Sequence, residues 1–154
     1  MERNLDHALG QMLDERAITK VMHDYTRFVD FGQAEHISEL FADDGVWEGP
    51  GVVLEGGQAI HRFFAERAGV TRRTSRHVIT NIAIEHEGHD EATALSYLIN
   101  FRHDSRGAVH LPVPAGHPKY VGEYNDRFVR TAQGWRFQRR VFTNTFLRPP
   151  AESA

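Results

Sequence analysis

The sequence of residues 76–101 is RHVITNIAIEHEGHDEATALSYLINF. Its two flanks, residues 77–86 and 92–101, are rich in β-branched and aromatic residues, which favour strands. The tetrapeptide EGHD between them, residues 87–90, is typical of a turn. The stretch therefore predicts a β-hairpin of two long strands.

A second hairpin follows, because the same composition returns in residues 120–130 and 135–146 around a turn-like segment at 131–134. The loop that joins the hairpins, residues 104–118, is long and contains three prolines. Several of these strands are apolar on both alternating faces, so one face is expected to cover helices and the other to meet a second layer or subunit. We therefore expect an antiparallel sheet that assembles into a homodimer or homotrimer through its outer surface.

Helical periodicity precedes the hairpins. Apolar residues spaced by three and four predict an amphipathic helix with Asp14 as its N-cap and Gly32 as its stop. A short second helix is expected over 34–41 and a third around 60–68. The stripe of the first helix consists of Ile18, Val21, Met22, Tyr25 and Val29.

Two short strands are expected between these helices. Residues 43–45 resemble a turn, residues 46–48 a short strand, and residues 52–54 another extended segment. Helices on one face of a curved antiparallel sheet make an α+β cone with a cavity between the layers.

The composition is that of one globular domain. The 154 residues are 40% hydrophobic and 25% charged, and we expect a single domain over 1–154 with an N-terminal extension at 1–13 and a frayed tail at 149–154. The net charge of −3 and scattered cations argue against nucleic acid as a partner. The first 13 residues lack the continuous apolar core of a signal peptide and cysteine is absent, so we expect no export signal, no membrane anchor and a cytoplasmic protein.

Four segments carry a resemblance to a known family: Tyr25-x-x-x-x-Asp30, LFADDGVW at 40–47, RHVITN at 76–81 and GWRF at 134–137. Their order resembles the SnoaL-like branch of the nuclear transport factor 2-like superfamily, over nearly the whole chain. The resemblance implies a cone-shaped α+β barrel, with N-terminal helices packed in the concave face of a curved, mostly antiparallel sheet.

Within that superfamily the chain looks closest to the group of scytalone dehydratase, bile-acid dehydratase and hexachlorocyclohexane dehydrochlorinase. In that group a His and an Asp at the open end of the cone serve proton abstraction, and His77 and Asp30 match those positions. A carboxylate on one imidazole nitrogen fixes the tautomer and stabilises the cation that forms. The structural alternative is a core histidine and a helix-end carboxylate that faces water.

Further candidates would bind the substrate. Tyr25 either donates a hydrogen bond to a substrate oxygen or is a core aromatic, Trp47 lines or fills the cavity floor, and Asn100 orients the substrate or His77 unless it faces solvent. Asn81 shares the parity of His77 and is a weaker candidate for the same wall. An aromatic lining is expected from Trp47, Phe63, Phe101 and Phe142.

Two further questions concern cations and metals. Arg139 and Arg140 are adjacent on a strand, so at most one can reach the cavity, and the sequence does not say which. The 10 histidines include His103, His110 and His117 near the long loop, but their spacing fits no zinc pattern. Dinucleotide and phosphate-binding glycine motifs are absent as well. We therefore expect neither a metal nor a cofactor.

The function that the resemblance implies is that of a small-molecule lyase or isomerase of the dehydratase kind, acting on a cyclic hydrophobic substrate. Alternatives are a non-catalytic ligand-binding protein, a scaffold like the small subunit of an oxygenase, and a cyclase or epoxide hydrolase. The fold alone does not choose among them.

Overall fold

Residues 2–146 are described in a computed structural model; the tail predicted at 149–154 lies outside them. These residues form helices followed by a sheet. The elements are α1 (Glu2–Asp30), a 3-10 helix (Ala34–Leu40), β1 (Phe41–Gly49), β2 (Val52–Glu55), α2 (Gly57–Ala68), β3 (Arg73–His86), β4 (Glu91–Asp104), β5 (Tyr120–Thr131) and β6 (Gly134–Phe146). Within this part of the chain, none of the helices is both long and apolar enough to cross a membrane.

The six strands form one curved sheet in the order β2-β1-β6-β5-β4-β3. Neighbouring strands are antiparallel except β1 and β6, which are parallel. The sheet does not close, so β2 and β3 are its edges. Helix α1 packs against β3 and β6, and α2 packs against the 3-10 helix and β1. The predicted α+β class, with helices against a mostly antiparallel sheet, is confirmed.

Helix α1 starts earlier than predicted. Its apolar stripe is buried as expected, and Gly32, at φ +72°, turns the chain after the last residue. Asp14 is not the N-cap, however, because residues 2–13 are already helical. Its carboxylate instead accepts hydrogen bonds from Arg130 Nη2 (2.6 Å) and Trp135 Nε1 (3.0 Å), which fasten the helix to the sheet. The hydrogen bond from Arg130 is the main reason that the pKa of Asp14 is lowered.

Strand β1 also starts earlier than predicted. The second helix ends at Leu40, and the turn expected at 43–45 is an irregularity within the strand. Gly45 lies so close to the backbone that an added Cβ would be 2.9 Å from the carbonyl oxygen of Ala42. The glycine that suggested a turn therefore allows tight packing inside a strand.

Strand β3 changes the direction of its side chains halfway along. The pairing with β4 is interrupted between Thr80 and Ala83, and Asn81 adopts a positive φ of 51°. Before this bulge the odd-numbered residues point inward, and after it the even-numbered residues do. The prediction that Asn81 shares the inner face with His77 is therefore wrong; Asn81 is exposed.

Candidate functional site

Asp30 and His77 are in direct contact. Asp30 is the last residue of α1, and His77 lies on the inner face of β3, opposite the end of that helix. His77 Nδ1 is 2.6 Å from Asp30 Oδ1, and the two side chains are only 13% and 6% exposed. The structure thus brings together the two residues that the sequence singled out.

The Asp30 carboxylate accepts three hydrogen bonds. Besides the imidazole, the backbone N–H of His77 donates to Oδ2 (2.7 Å) and the Ser75 hydroxyl donates to Oδ1 (2.9 Å). The oxygens of a carboxylate can only accept hydrogen bonds, so Nδ1 carries the imidazole proton. The lone pair of a neutral His77 is therefore on Nε2. Ser75 was not predicted, although its position two residues before His77 puts it on the same face.

The other side of His77 lines a cavity of about 330 Å³ between the helices and the sheet. Its Nε2 makes no hydrogen bond to any residue in the range 2–146. A base with a free lone pair beside a cavity of this size can reach a proton on a small bound molecule. The walls are mainly apolar and aromatic, and include Val29, Trp47, Phe63, Phe64, Leu98, Tyr120 and Phe142.

The predicted aromatic lining is correct for three of four residues. Trp47, Phe63 and Phe142 line the cavity. Phe101 does not; it lies on the outer face of β4 and is 40% exposed. Since its neighbour Asn100 points inward, strand alternation sends Phe101 outward.

Tyr25 and Trp47 are joined by a hydrogen bond from Trp47 Nε1 to Tyr25 Oη of 2.9 Å. Both residues line the cavity, and at the same time Tyr25 belongs to the buried core and Trp47 packs against it, so the two alternatives given for each residue hold together. Burial raises the pKa of Tyr25 to about 12, so its phenol is neutral at physiological pH. The Tyr25 oxygen accepts from the indole, which leaves its own proton for donation.

Tyr124 is a further cavity residue that the sequence left unassigned. Burial also raises the pKa of its phenol well above the ordinary value. Its ring and that of Tyr25 flank the guanidinium of Arg140, with the guanidinium carbon 3.9 and 4.3 Å from the two ring centroids. The sequence did contain a clue to its inward direction. Tyr124 and Phe128 are four residues apart on one strand and so share a face, and Phe128 is fully buried.

Of the two adjacent arginines on β6, Arg140 is the one that faces the interior. It points inward and is fully buried, whereas Arg139 is on the outer face and pairs with Glu48. Arg140 makes two parallel hydrogen bonds of 2.9 Å to Asp126, which is also fully buried. Arg140 lies behind the tyrosines, outside the cavity lining, and fixes their positions by stacking.

Asn100 is buried and lies directly opposite His77 on β4. Its amide nitrogen donates to the carbonyl oxygens of Arg76 (3.3 Å) and Phe101 (3.4 Å). Because the amide nitrogen is engaged in this way, the amide oxygen is the atom that can accept a hydrogen bond from a molecule in the cavity. As for metals, no cluster of three or more His, Asp or Glu side chains suited to an ion occurs in residues 2–146.

Comparison with known proteins agrees with this architecture. The SnoaL-like domain family matches residues 10–141. An NTF2-like protein with a cystatin-like fold from Novosphingobium aromaticivorans is 26% identical, with a TM-score of 0.78 over 99% of this chain and 92% of that one. No curated protein is similar enough in sequence to count as a relative.

Two other solved structures share the fold. A proposed scytalone dehydratase from Novosphingobium aromaticivorans is 24% identical (TM-score 0.75; 96% of this chain and 99% of that one). A hexachlorocyclohexane dehydrochlorinase, LinA type 2, is 15% identical (TM-score 0.74; 95% of each chain). At these identities the likeness is one of fold. The match over residues 10–141 goes further, and the chain belongs to the SnoaL-like family of the nuclear transport factor 2-like fold.

Proposed function

We propose that this protein is a cofactor-independent lyase of the dehydratase kind that acts on a cyclic, hydrophobic small molecule. The observation that carries the proposal is the 2.6 Å hydrogen bond between Asp30 and His77 Nδ1, with Nε2 open to the cavity. The dehydratase and dehydrochlorinase among the structural neighbours support the same class of reaction.

In this reaction His77 Nε2 takes a proton from a substrate carbon. The electrons of that C–H bond pass to an adjacent carbonyl group, which becomes an enolate. When the enolate collapses, the carbonyl group re-forms, a C=C bond forms to the neighbouring carbon on the other side, and the bond from that carbon to its hydroxyl group breaks. The departing hydroxide leaves as water after it takes back the proton from the imidazolium. Asp30 stabilises the imidazolium between the two steps, because its carboxylate remains hydrogen-bonded to Nδ1.

The remaining cavity residues would hold the substrate. The neutral phenol of Tyr25 can donate to a carbonyl oxygen and stabilise the enolate that proton removal creates. Asn100 offers an acceptor for a substrate hydroxyl. The indole of Trp47 and the rings of Phe63 and Phe142 suit a ring-bearing ligand.

A panel of cyclic hydroxy-ketones tests the reaction class. With the wild type we expect solvent deuterium to enter at the carbon next to the carbonyl, and loss of water from at least one compound. His77→Gln, which removes the base, should lower the rate by about 10²- to 10⁴-fold. Mass spectrometry after incubation in D₂O measures both events.

The matched control is His23→Gln, because His23 is exposed on α1. It should behave as the wild type. If the wild type and His77→Gln, both folded, exchange the panel at equal rates, the protein is not a lyase of this kind.

We also propose that the protein forms a homodimer or homotrimer through the outer face of β3 and β4. Val78, Leu95, Tyr97 and Phe101 are exposed there, and pairing of the two strands places them in adjacent rows. Tyr97→Lys should convert the oligomer into a monomer, as measured by light scattering at micromolar concentration.

Gln58→Lys adds the same charge on the exposed surface of α2 and should leave the assembly intact. A wild type that is monomeric under these conditions would contradict the proposal. So would an oligomer that persists in Tyr97→Lys, which would point to the exposed apolar residues of α1 instead: Leu5, Leu9, Met12 and Leu13.

A further inference from the structure

Three arginines line one end of the cavity. Arg67 lies in the last turn of α2, Arg73 begins β3, and Arg102 is near the end of β4. All three are partly buried. The pairing of β3 with β4 places the arginines next to His77 on the same wall of the cavity. The opposed pairs along this wall are Arg73 with Asp104, Ser75 with Arg102, and His77 with Asn100.

Two of these arginines are already paired. Asp104 accepts from Arg73 Nε (2.6 Å) and from both Nε (2.9 Å) and Nη2 (2.6 Å) of Arg102. These hydrogen bonds, chiefly those from Arg102, lower the pKa of Asp104 to about 2. One carboxylate thus serves two guanidinium groups.

The third arginine, Arg67, has no such partner. Its side chain makes no hydrogen bond and no ion pair with the residues of the described range 2–146. Burial lowers the pKa of Arg67, and repulsion from Arg73 and Arg102 lowers it further, only partly offset by Asp104 and Asp30. An arginine nevertheless stays protonated in proteins, so an unneutralised positive charge faces the cavity.

Helix capping does not explain this arginine. A cation in the last turn of a helix is favourable when it binds the free carbonyl groups there. In α2, however, the backbone N–H of Gly69 donates to Ala65 O (3.3 Å) and that of Val70 to Arg67 O (3.2 Å). The backbone itself closes the helix, and the guanidinium is left for another partner.

We propose that Arg67 binds an anionic group of the substrate, with a carboxylate as the best match because it accepts two parallel hydrogen bonds from a guanidinium. The ligand is then amphiphilic: its ring lies among Trp47, Phe63 and Phe142, and its anionic end lies against Arg67. This inference rests on the proposed function in placing the ring beside His77. It narrows the substrate class from hydrophobic ring compounds to ring carboxylates.

Two probes of equal shape test the charge preference: 2-naphthoate, which is anionic at pH 7, and the neutral 2-naphthamide. By isothermal titration at low ionic strength, the wild type should bind the anion about tenfold or more tightly than the amide. Arg67→Met should bring the two affinities together, while Arg67→Lys should keep part of the preference.

Arg62→Met is the matched control, because Arg62 lies on the exposed surface of the same helix, away from the cavity. It should retain the wild-type preference. Equal affinities in the wild type, including no measurable binding of either probe, would overturn the inference. A preference that survives in Arg67→Met would overturn it as well.

The titration does not depend on turnover, so its outcome is separate from that of the proposed reaction. Charge preference in a protein that exchanges none of the hydroxy-ketones would leave the anion site standing without the lyase. Turnover that requires His77, in a protein without charge preference, would leave the lyase standing without the anion site.

Discussion

Replacing Asp30 with asparagine should lower turnover by about 10³- to 10⁴-fold while the protein stays folded. A carboxylate accepts at both oxygens, but an amide accepts at one end and donates at the other. If the amide oxygen faces the imidazole, the amide nitrogen meets the backbone N–H of His77, which now has no acceptor. If the amide is turned over, its nitrogen faces Nδ1, and the imidazole proton moves to Nε2. In the second arrangement the base no longer has its lone pair toward the cavity.

Nitrogen NMR of the histidine rings measures this change without a substrate. The wild type should show His77 with its proton on Nδ1, and Asp30→Asn should show it on Nε2 or in exchange between the two. Asp24→Asn is the matched control, since Asp24 lies on the same helix and its only partners among residues 2–146 are the surface residues Lys20 and Arg27. An unchanged tautomer together with unchanged turnover in Asp30→Asn would refute the role given to this carboxylate.

Replacing Arg140 with methionine should lower the free energy of unfolding by about 3–5 kcal/mol, the largest stability effect expected from a single charged residue here. Arg140 and Asp126 are both fully buried and bind each other through two hydrogen bonds. Burial already raises the pKa of Asp126 even with the guanidinium present. Without Arg140, that carboxylate is left in an apolar interior with neither water nor a counter-charge.

Urea unfolding followed by circular dichroism gives the comparison. Arg139→Met removes the adjacent arginine and its surface ion pair with Glu48, and should cost about 1 kcal/mol or less. The double variant Asp126→Leu, Arg140→Met should be more stable than Arg140→Met alone, because no buried charge remains. Equal losses for Arg139→Met and Arg140→Met would show that the buried pair has no special role.

Much of the fold could be predicted because it rests on periodicity. The apolar stripe from Ile18 to Val29 is buried, as its helical spacing indicates. Both hairpins form in the segments that are rich in β-branched and aromatic residues. The start of α1 could not be predicted in this way. Leu5, Leu9 and Met12 remain exposed in the structure, so no buried stripe extends the pattern toward Glu2.

The site was predictable to the extent that strand alternation holds. Asn100 and Trp47 line the cavity as expected. Alternation is interrupted in β6, whose pairing with β5 is irregular between Arg127 and Phe128. As a result Phe137 and Arg140 both point inward, although one is odd-numbered and the other even-numbered. A bulge leaves no clear mark in composition, which is why the inward arginine could not be chosen from the sequence. Arg67 could not be singled out from the sequence, because its lack of a partner depends on how Asp104 is shared between Arg73 and Arg102, which only the structure shows.

The bulge at Asn81 has a consequence for how such a protein can diversify. One residue with a positive φ separates β3 into a segment that carries Arg73, Ser75 and His77 and a segment that packs Ile82 and Ile84 against the core. The inward side chains are odd-numbered on the first segment and even-numbered on the second. Substitutions around His77 can therefore change the lining of the cavity while Ile82 and Ile84 keep their packing against the core and the strand keeps its register.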